Sequence, residues 1–319
     1  MNRLPLICAV LALPALACSE EPSSALDSGS ASEDAAVVSD AAAQQDAQPA
    51  DSGVVQDAGQ ADSGVPADTG VSPDSGLPPL PGTLTDWCTG QPADFSFFVT
   101  SMSALWTLAG DDISDLEGGF GGNFGGLAGA DRICQTIGDA TGSTRTWRAF
   151  LSVTDDGSGS PVHGIDRIGA GPWTDANGRL VASGLSGLTG DRPDGDVQST
   201  SDLPDECGVP LTALGDAHDV VTGSDKQGRL AQTDMNWTCN DWTSDSTTVG
   251  VNSGGPGPSR TGVMCGHSFP RSNRSGLNWV SDHPLRGCSP GANLLQNGGG
   301  TGTCIGCSGG YGALYCFAL

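Results

Sequence analysis

The chain has 319 residues and carries 37 acidic against 13 basic side chains, a formal net charge of −24 at pH 7. Such a balance argues against nucleic acid, heparin-like polyanions and anionic lipid headgroups as partners, because displacing their counterions takes basic residues. The length suffices for a large domain with its own core, but composition changes sharply along the chain.

Met1, Asn2 and Arg3 form a short positive start, followed by an apolar run over 4–16 that includes two prolines. That run is too short to span a bilayer as a helix. Ala15, Leu16 and Ala17 then precede Cys18, so residues 1–17 read as a signal peptide. Ala-Leu-Ala-Cys resembles a lipobox, which implies a thioether-linked diacylglycerol on Cys18. Ordinary cleavage leaving a plain thiol is the other reading. Each buried CH₂ contributes about 0.8 kcal/mol, so several acyl chains, palmitate among them, give stable anchoring. Ser19 stands where an Asp would resemble an inner-membrane retention signal. It points to the outer membrane, with the folded part on the periplasmic or extracellular side.

Residues 18–83 are a different material. Between Ser19 and Thr83 there are twelve acidic residues, no Lys or Arg and no aromatic side chain. Asp recurs at 40, 46, 51, 57, 62, 68 and 74 among Ala, Ser, Gly and Pro. The glycine-aspartate nonapeptide of calcium β-rolls is missing. Such a segment cannot bury enough apolar surface to offset its ordering entropy, and like charges favour extension. It reads as a disordered tether.

All seven Trp, all eight Phe, both Tyr and nine of the eleven Cys fall in 84–319, which reads as one domain. Residues 95–101 are aromatic and β-branched and predict a strand. Over 127–140, Leu127, Ala130, Ile133, Cys134 and Ile137 share one helical face. Residues 146–153 alternate, with Trp147, Ala149, Leu151 and Val153 on one side, and predict a half-buried strand. Asn177-Gly178 is a hairpin signal. Short strands are expected at 220–222 and 239–243, and a last one at 313–319. One early helix followed by short strands and glycine-rich loops gives an α+β class.

The nine cysteines are Cys88, Cys134, Cys207, Cys239, Cys265, Cys288, Cys304, Cys307 and Cys316. In an exported chain most belong in disulfides, and the odd count leaves one over. Cys304-Ile305-Gly306-Cys307 has redox spacing but lies between glycine-rich loops, not at the start of a helix. Cys265, His267, His283 and Cys288 are zinc-ligand types, yet their spacing matches no finger.

The segments GGLAGADRIC (125–134) and TWRAFLS (146–152), the later VTGSDKQGRL (221–230) and CNDWT (239–243), and the ending LYCF (314–317) resemble, in order, those of endostatin, the C-terminal domain of certain collagens. Endostatin-like domains of bacterial lipoproteins carry the same order. The resemblance implies a C-type-lectin-like fold with paired terminal strands. It also implies a Cys134–Cys316 disulfide, and a bridge from Cys239 to Cys304 or Cys307. Cys88, Cys207, Cys265 and Cys288 have no counterpart there and are expected to brace an insertion over about 247–297.

Function is less legible, because one fold hosts many. The heparin-binding arginines and histidine run of endostatin are absent, as are the Glu-Pro-Asn and Gln-Pro-Asp tripeptides of sugar-binding lectins. Asp191, Asp194, Asp196, Asn240 and Asp241 are the candidate ligand loop. Their hard oxygens suit calcium, against the reading of a Pro/Gly turn. Trp237, Trp242 and Trp279 either stack on sugar rings or fill the core. His163, His218, His267 and His283 allow a catalytic triad in number only, and no nucleophile-elbow Gly-x-Ser-x-Gly separates a strand from a helix. The sequence therefore reads as a non-enzymatic envelope lipoprotein that binds a glycan or protein. A structural envelope protein and a hydrolase are the alternatives.

Overall fold

The computed structural model describes residues 77–85, 87–251, 262–271, 276–295 and 302–319. Residues 1–17, expected as a signal peptide, Cys18 and nearly all of the stretch expected as a tether lie outside the described residues. The described part is α+β, with short strands, few helices and four disulfides.

Strand β1 (Phe97–Val99) enters the core, and α1 (Met102–Ala109) follows at once. Ser101 caps α1 by accepting from the Ala104 N–H, and Gly110 ends it in the left-handed region. The 95–101 expectation ran on into this cap, and α1 itself was unexpected. Met102, Ala104, Leu105, Trp106 and Leu108 are all buried, and only Ser103 and Thr107 mark a polar side, too little in two turns to betray the period. Helix α2 (Gly126–Ala140) matches the expected stripe, with Ala130, Ile133, Cys134 and Ile137 buried.

Strand β2 (Trp147–Ala149) is shorter than expected, and Phe150 to Val153 are buried on both sides of the chain. The alternation of Trp147, Ala149, Leu151 and Val153 therefore does not mark a half-exposed strand. Asn177-Gly178 lies in the hairpin between β3 (Trp173–Thr174) and β4 (Leu180–Ala182). A one-turn helix, α3 (Val197–Thr200), leads towards β5 (Asp219–Val221). β6 (Met264–His267), β7 (His283–Pro284), β8 (Gly310–Ala313) and β9 (Tyr315–Ala318) complete the set.

The C-terminal β9 lies between β1 and β2, antiparallel to both. Its Tyr315 and Phe317 face Phe97, Phe150, Trp173 and Trp279, with ring centroids between 4.9 and 6.3 Å. A second sheet has the order β7-β6-β5-β8. There β5 pairs antiparallel with β6 and parallel with β8. Beneath β2, the buried Asp131 accepts from Arg148 (2.7 Å), Arg167 (2.6 Å) and the Ala149 N–H (2.9 Å). This locks α2 to β2.

Residues 239–242 are not a strand. Cys239, Asn240, Asp241 and Trp242 all have positive φ and form a tight turn. Thr238 closes it by accepting from the Asp241 N–H. Of the disulfides, only Cys134–Cys316 is the pairing the resemblance implied. Cys134–Cys316 joins α2 to β9. Cys239 pairs with Cys288, because the chain after β7 returns beside Gly122, whose N–H donates to the Cys288 carbonyl at 2.7 Å. Cys304 and Cys307 pair with each other across a turn. Cys88–Cys207 ties the start of the domain to the turn after Asp205, not to the insertion. Cys265, expected in a disulfide, is the free cysteine among the described residues and is buried.

Candidate metal centre

The second sheet assembles a site that no single stretch of sequence encodes. Directly opposed residues of an antiparallel pair share a face, as do residues two apart along one strand. Asp219 of β5 is opposite His267 of β6, and Cys265, two residues before His267, is opposite His283 of β7. Asp219, His267, Cys265 and His283 therefore lie on one face of three adjacent strands. His218 would alternate away, but it stands just before β5. There its own N–H and that of Asp219 both donate to the Gly309 carbonyl. Gly309 has φ of +131°, and a Cβ there would lie 2.3 Å from the His218 ring. Only glycine leaves the ring room to reach its neighbours.

One ligand atom each from His218, Asp219, His267 and His283 lies within 4.8 Å of all the others. Asp219 Oδ1 is the hub: it is 3.1 Å from His218 Nε2, 3.1 Å from His283 Nε2 and 3.4 Å from His267 Nε2. Asp282 Oδ2 stands 3.7 Å from His267 Nε2. His218 Nε2, both Asp219 oxygens, both His267 nitrogens and Asp282 Oδ2 are buried without a hydrogen bond. Leaving such a group unsatisfied costs about 1–3 kcal/mol, and buried polar atoms in folded proteins are seldom left so.

The remaining nitrogens are held from behind. His218 Nδ1 lies 2.7 Å from the Asp216 carbonyl, and His283 Nδ1 lies 3.2 Å from the Pro284 carbonyl. An Nδ1–H donating there turns each Nε2 towards Asp219, the arrangement that fixes ligating histidines, and an ion bound at Nε2 displaces any proton held there. Burial pushes His267 down to about 3, and the neighbouring imidazoles add to the effect against Asp219. It is thus neutral, the form that ligates. Burial pushes the Asp219 carboxyl up, but the charges of His283 and His218 outweigh it and hold it well below the carboxylate range. For His283, burial pulls downward, and Cys265 and Asp219 raise it well above the usual imidazole value.

Three imidazoles and a carboxylate are zinc-type ligands, and four protein donors fill a tetrahedral shell. The sequence contained Cys265, His267 and His283 as ligand types, and the sheet brings these three together. Cys288, the fourth, is in a disulfide. His218 and Asp219 were missed as ligands. The signal that was available is period two: Cys265-x-His267 on one strand face. His163 lies elsewhere, accepting from the Leu230 N–H at 3.0 Å.

The expected calcium loop is not assembled. Asp194 accepts from the N–H and hydroxyl of Ser183, which hold its carboxyl below the ordinary range. Asp196 caps α3, and Asp191 meets Asn278 and Lys226. Asp241 accepts from Thr154, Asp155 and Thr238, and Asn240 donates to Thr243. Asp196 caps its own helix, while Asp191, Asp194 and Asp241 each meet donors from other segments. Trp242 and Trp279 are fully buried, while Trp237 is half-buried.

No protein-family model matches the chain, and no curated protein matches it. No helix among the described residues is long and apolar enough to cross a membrane.

Proposed function

We propose that the protein is an exported, lipid-anchored envelope protein whose folded domain is a binding module built around one divalent transition-metal ion, zinc by ligand type. The observation that carries this is the convergence of the half-buried His283 with His218, Asp219 and His267, which are buried and short of hydrogen bonds, two of the rings being held by carbonyls from behind. The ion satisfies atoms the protein leaves unpartnered, and it ties β5, β6 and β7 together where strands of two to four residues offer little ladder of their own. All four donors come from the protein and three are fully buried, so the centre is of the closed, structural kind.

The pairing of β1 with β9 and the Cys134–Cys316 bridge support the C-type-lectin-like reading of the scaffold. The ligand of the module, on that reading, is a glycan or protein of the cell surface, with the tether holding the domain away from an outer membrane anchored through Cys18.

Competitive zinc titration of the purified full-length protein tests the metal site. One ion per chain is expected, and His267→Ala should weaken it by at least about tenfold, the loss typical of damage around a metal shell. Zinc uptake that is absent, or that His267→Ala leaves unchanged, would remove the reading.

A further inference from the structure

Among the described residues eight cysteines are in disulfides and one is not. The exception, Cys265, is placed against the metal site. It is fully buried on the face of β6 that carries His267. Its Sγ is 3.7 Å from Nδ1 and 3.9 Å from Nε2 of His283, and its thiol donates to the His283 carbonyl at 3.2 Å.

The neighbourhood holds more donors than a tetrahedral ion uses. Besides the four ligands, Asp282 Oδ2 is buried, unpartnered and 3.7 Å from His267. A site with spare donors of different softness can choose its ligands by the ion it meets. Thiolate selects soft cations, whereas carboxylate suits hard ones.

Building on the metal-site reading, we infer that Cys265 is an additional donor of this centre and makes it favour cations larger and softer than zinc, for which cadmium is the probe. Zinc takes the three imidazoles and Asp219. A larger, softer ion also takes Cys265: the S–H bond breaks, the proton leaves to solvent, and a sulfur–metal bond forms in its place. No electron is transferred, so no oxidant or reductant is needed. The same contact accounts for a thiol kept out of the disulfides.

The test uses the full-length protein and its Cys265→Ser variant, loaded with cadmium or zinc in competition. In the wild type, one cadmium per chain should bring a cadmium–thiolate charge-transfer band in the ultraviolet. The band should be absent from the variant, so thiols elsewhere cancel in the difference. The cadmium-to-zinc affinity ratio should fall by about tenfold or more in the variant, as expected for losing a soft ligand. A wild type that binds one cadmium without the band overturns the inference and needs no variant. So does an unchanged ratio, while both results leave the zinc site standing. Failure to take up either ion overturns the metal-site reading and this inference with it.

Discussion

Zinc should raise the thermal stability of the domain, by an amount that binding linkage fixes. An ion that binds only the folded state stabilises it by RT ln(1 + [L]/Kd), or about 2.7 kcal/mol at a free concentration 100 times Kd. The unfolded chain offers no comparable site, because the donors come from His218-Asp219, His267 and His283 and converge only when β5, β6 and β7 pair. For a domain of this size each kcal/mol moves Tm by about 2–4 °C. The shift between zinc-loaded and chelator-treated protein should therefore be about 5–11 °C at that concentration. Differential scanning calorimetry under non-reducing conditions, which keep the four disulfides closed, measures it directly. The increment should vanish in His267→Ala. Equal Tm values with zinc and with chelator in the wild type, or an increment that survives His267→Ala, would refute the reasoning.

Three further outcomes follow from other parts of the fold. Asp131→Ala removes the buried carboxylate that Arg148 and Arg167 share, their side chains being only 16% and 11% exposed, and should cost about 3–5 kcal/mol in urea denaturation. Burial first, and then the charge of Glu206, push Asp205 up to about 7 from 3.8, so the folded state keeps a proton that the unfolded chain has lost. Stability from this group is full below about pH 4 and is lost as pH rises towards about 7, at about 1.4 kcal/mol per unit of separation. Asp205→Asn keeps an oxygen acceptor for the Cys207 and Val209 N–H groups, so it should lose less stability than wild type between pH 4.5 and 7.5; parallel losses in chelator would contradict the assignment. Gly309→Ala should push the His218 ring away from Asp219 and weaken zinc by at least about tenfold in competitive titration.

What could be read from sequence depended on whether the signal was local. Helix α2 was legible because Ala130, Ile133, Cys134 and Ile137 repeat at helical spacing against polar neighbours. The Asn177-Gly178 hairpin was legible because its turn chemistry is contained in two residues. Helix α1 was not, since it is two turns long and only Ser103 and Thr107 interrupt its apolar run. The stretch Cys239–Trp242 was expected as a strand, but Asn240 and Asp241 favour turns, and Thr238 and the Cys239–Cys288 bridge hold it in left-handed geometry. The acidic loops were over-read. Asp194, Asp196 and Asp241 look like spare oxygen ligands, yet each accepts from backbone N–H groups, nearby for Asp196, from Ser183 for Asp194 and from the distant Thr154 for Asp241. The metal centre was half legible. Cys265, His267 and His283 stood out by type, but their spacing matched no finger because the spacing is set by strand pairing. His218-Asp219 gave no signal, because residues adjacent in a strand normally face opposite ways and only the Gly309 turn brings both inward.

The central claim is the zinc shell itself, and X-ray absorption at the zinc edge of the loaded full-length protein tests it most directly. The account predicts three imidazole nitrogens at about 2.0–2.1 Å and one carboxylate oxygen at about 2.0–2.2 Å, with the imidazole pattern lost when His267 and His283 are replaced together. A shell of water oxygens alone, or one that survives that double replacement, would contradict it.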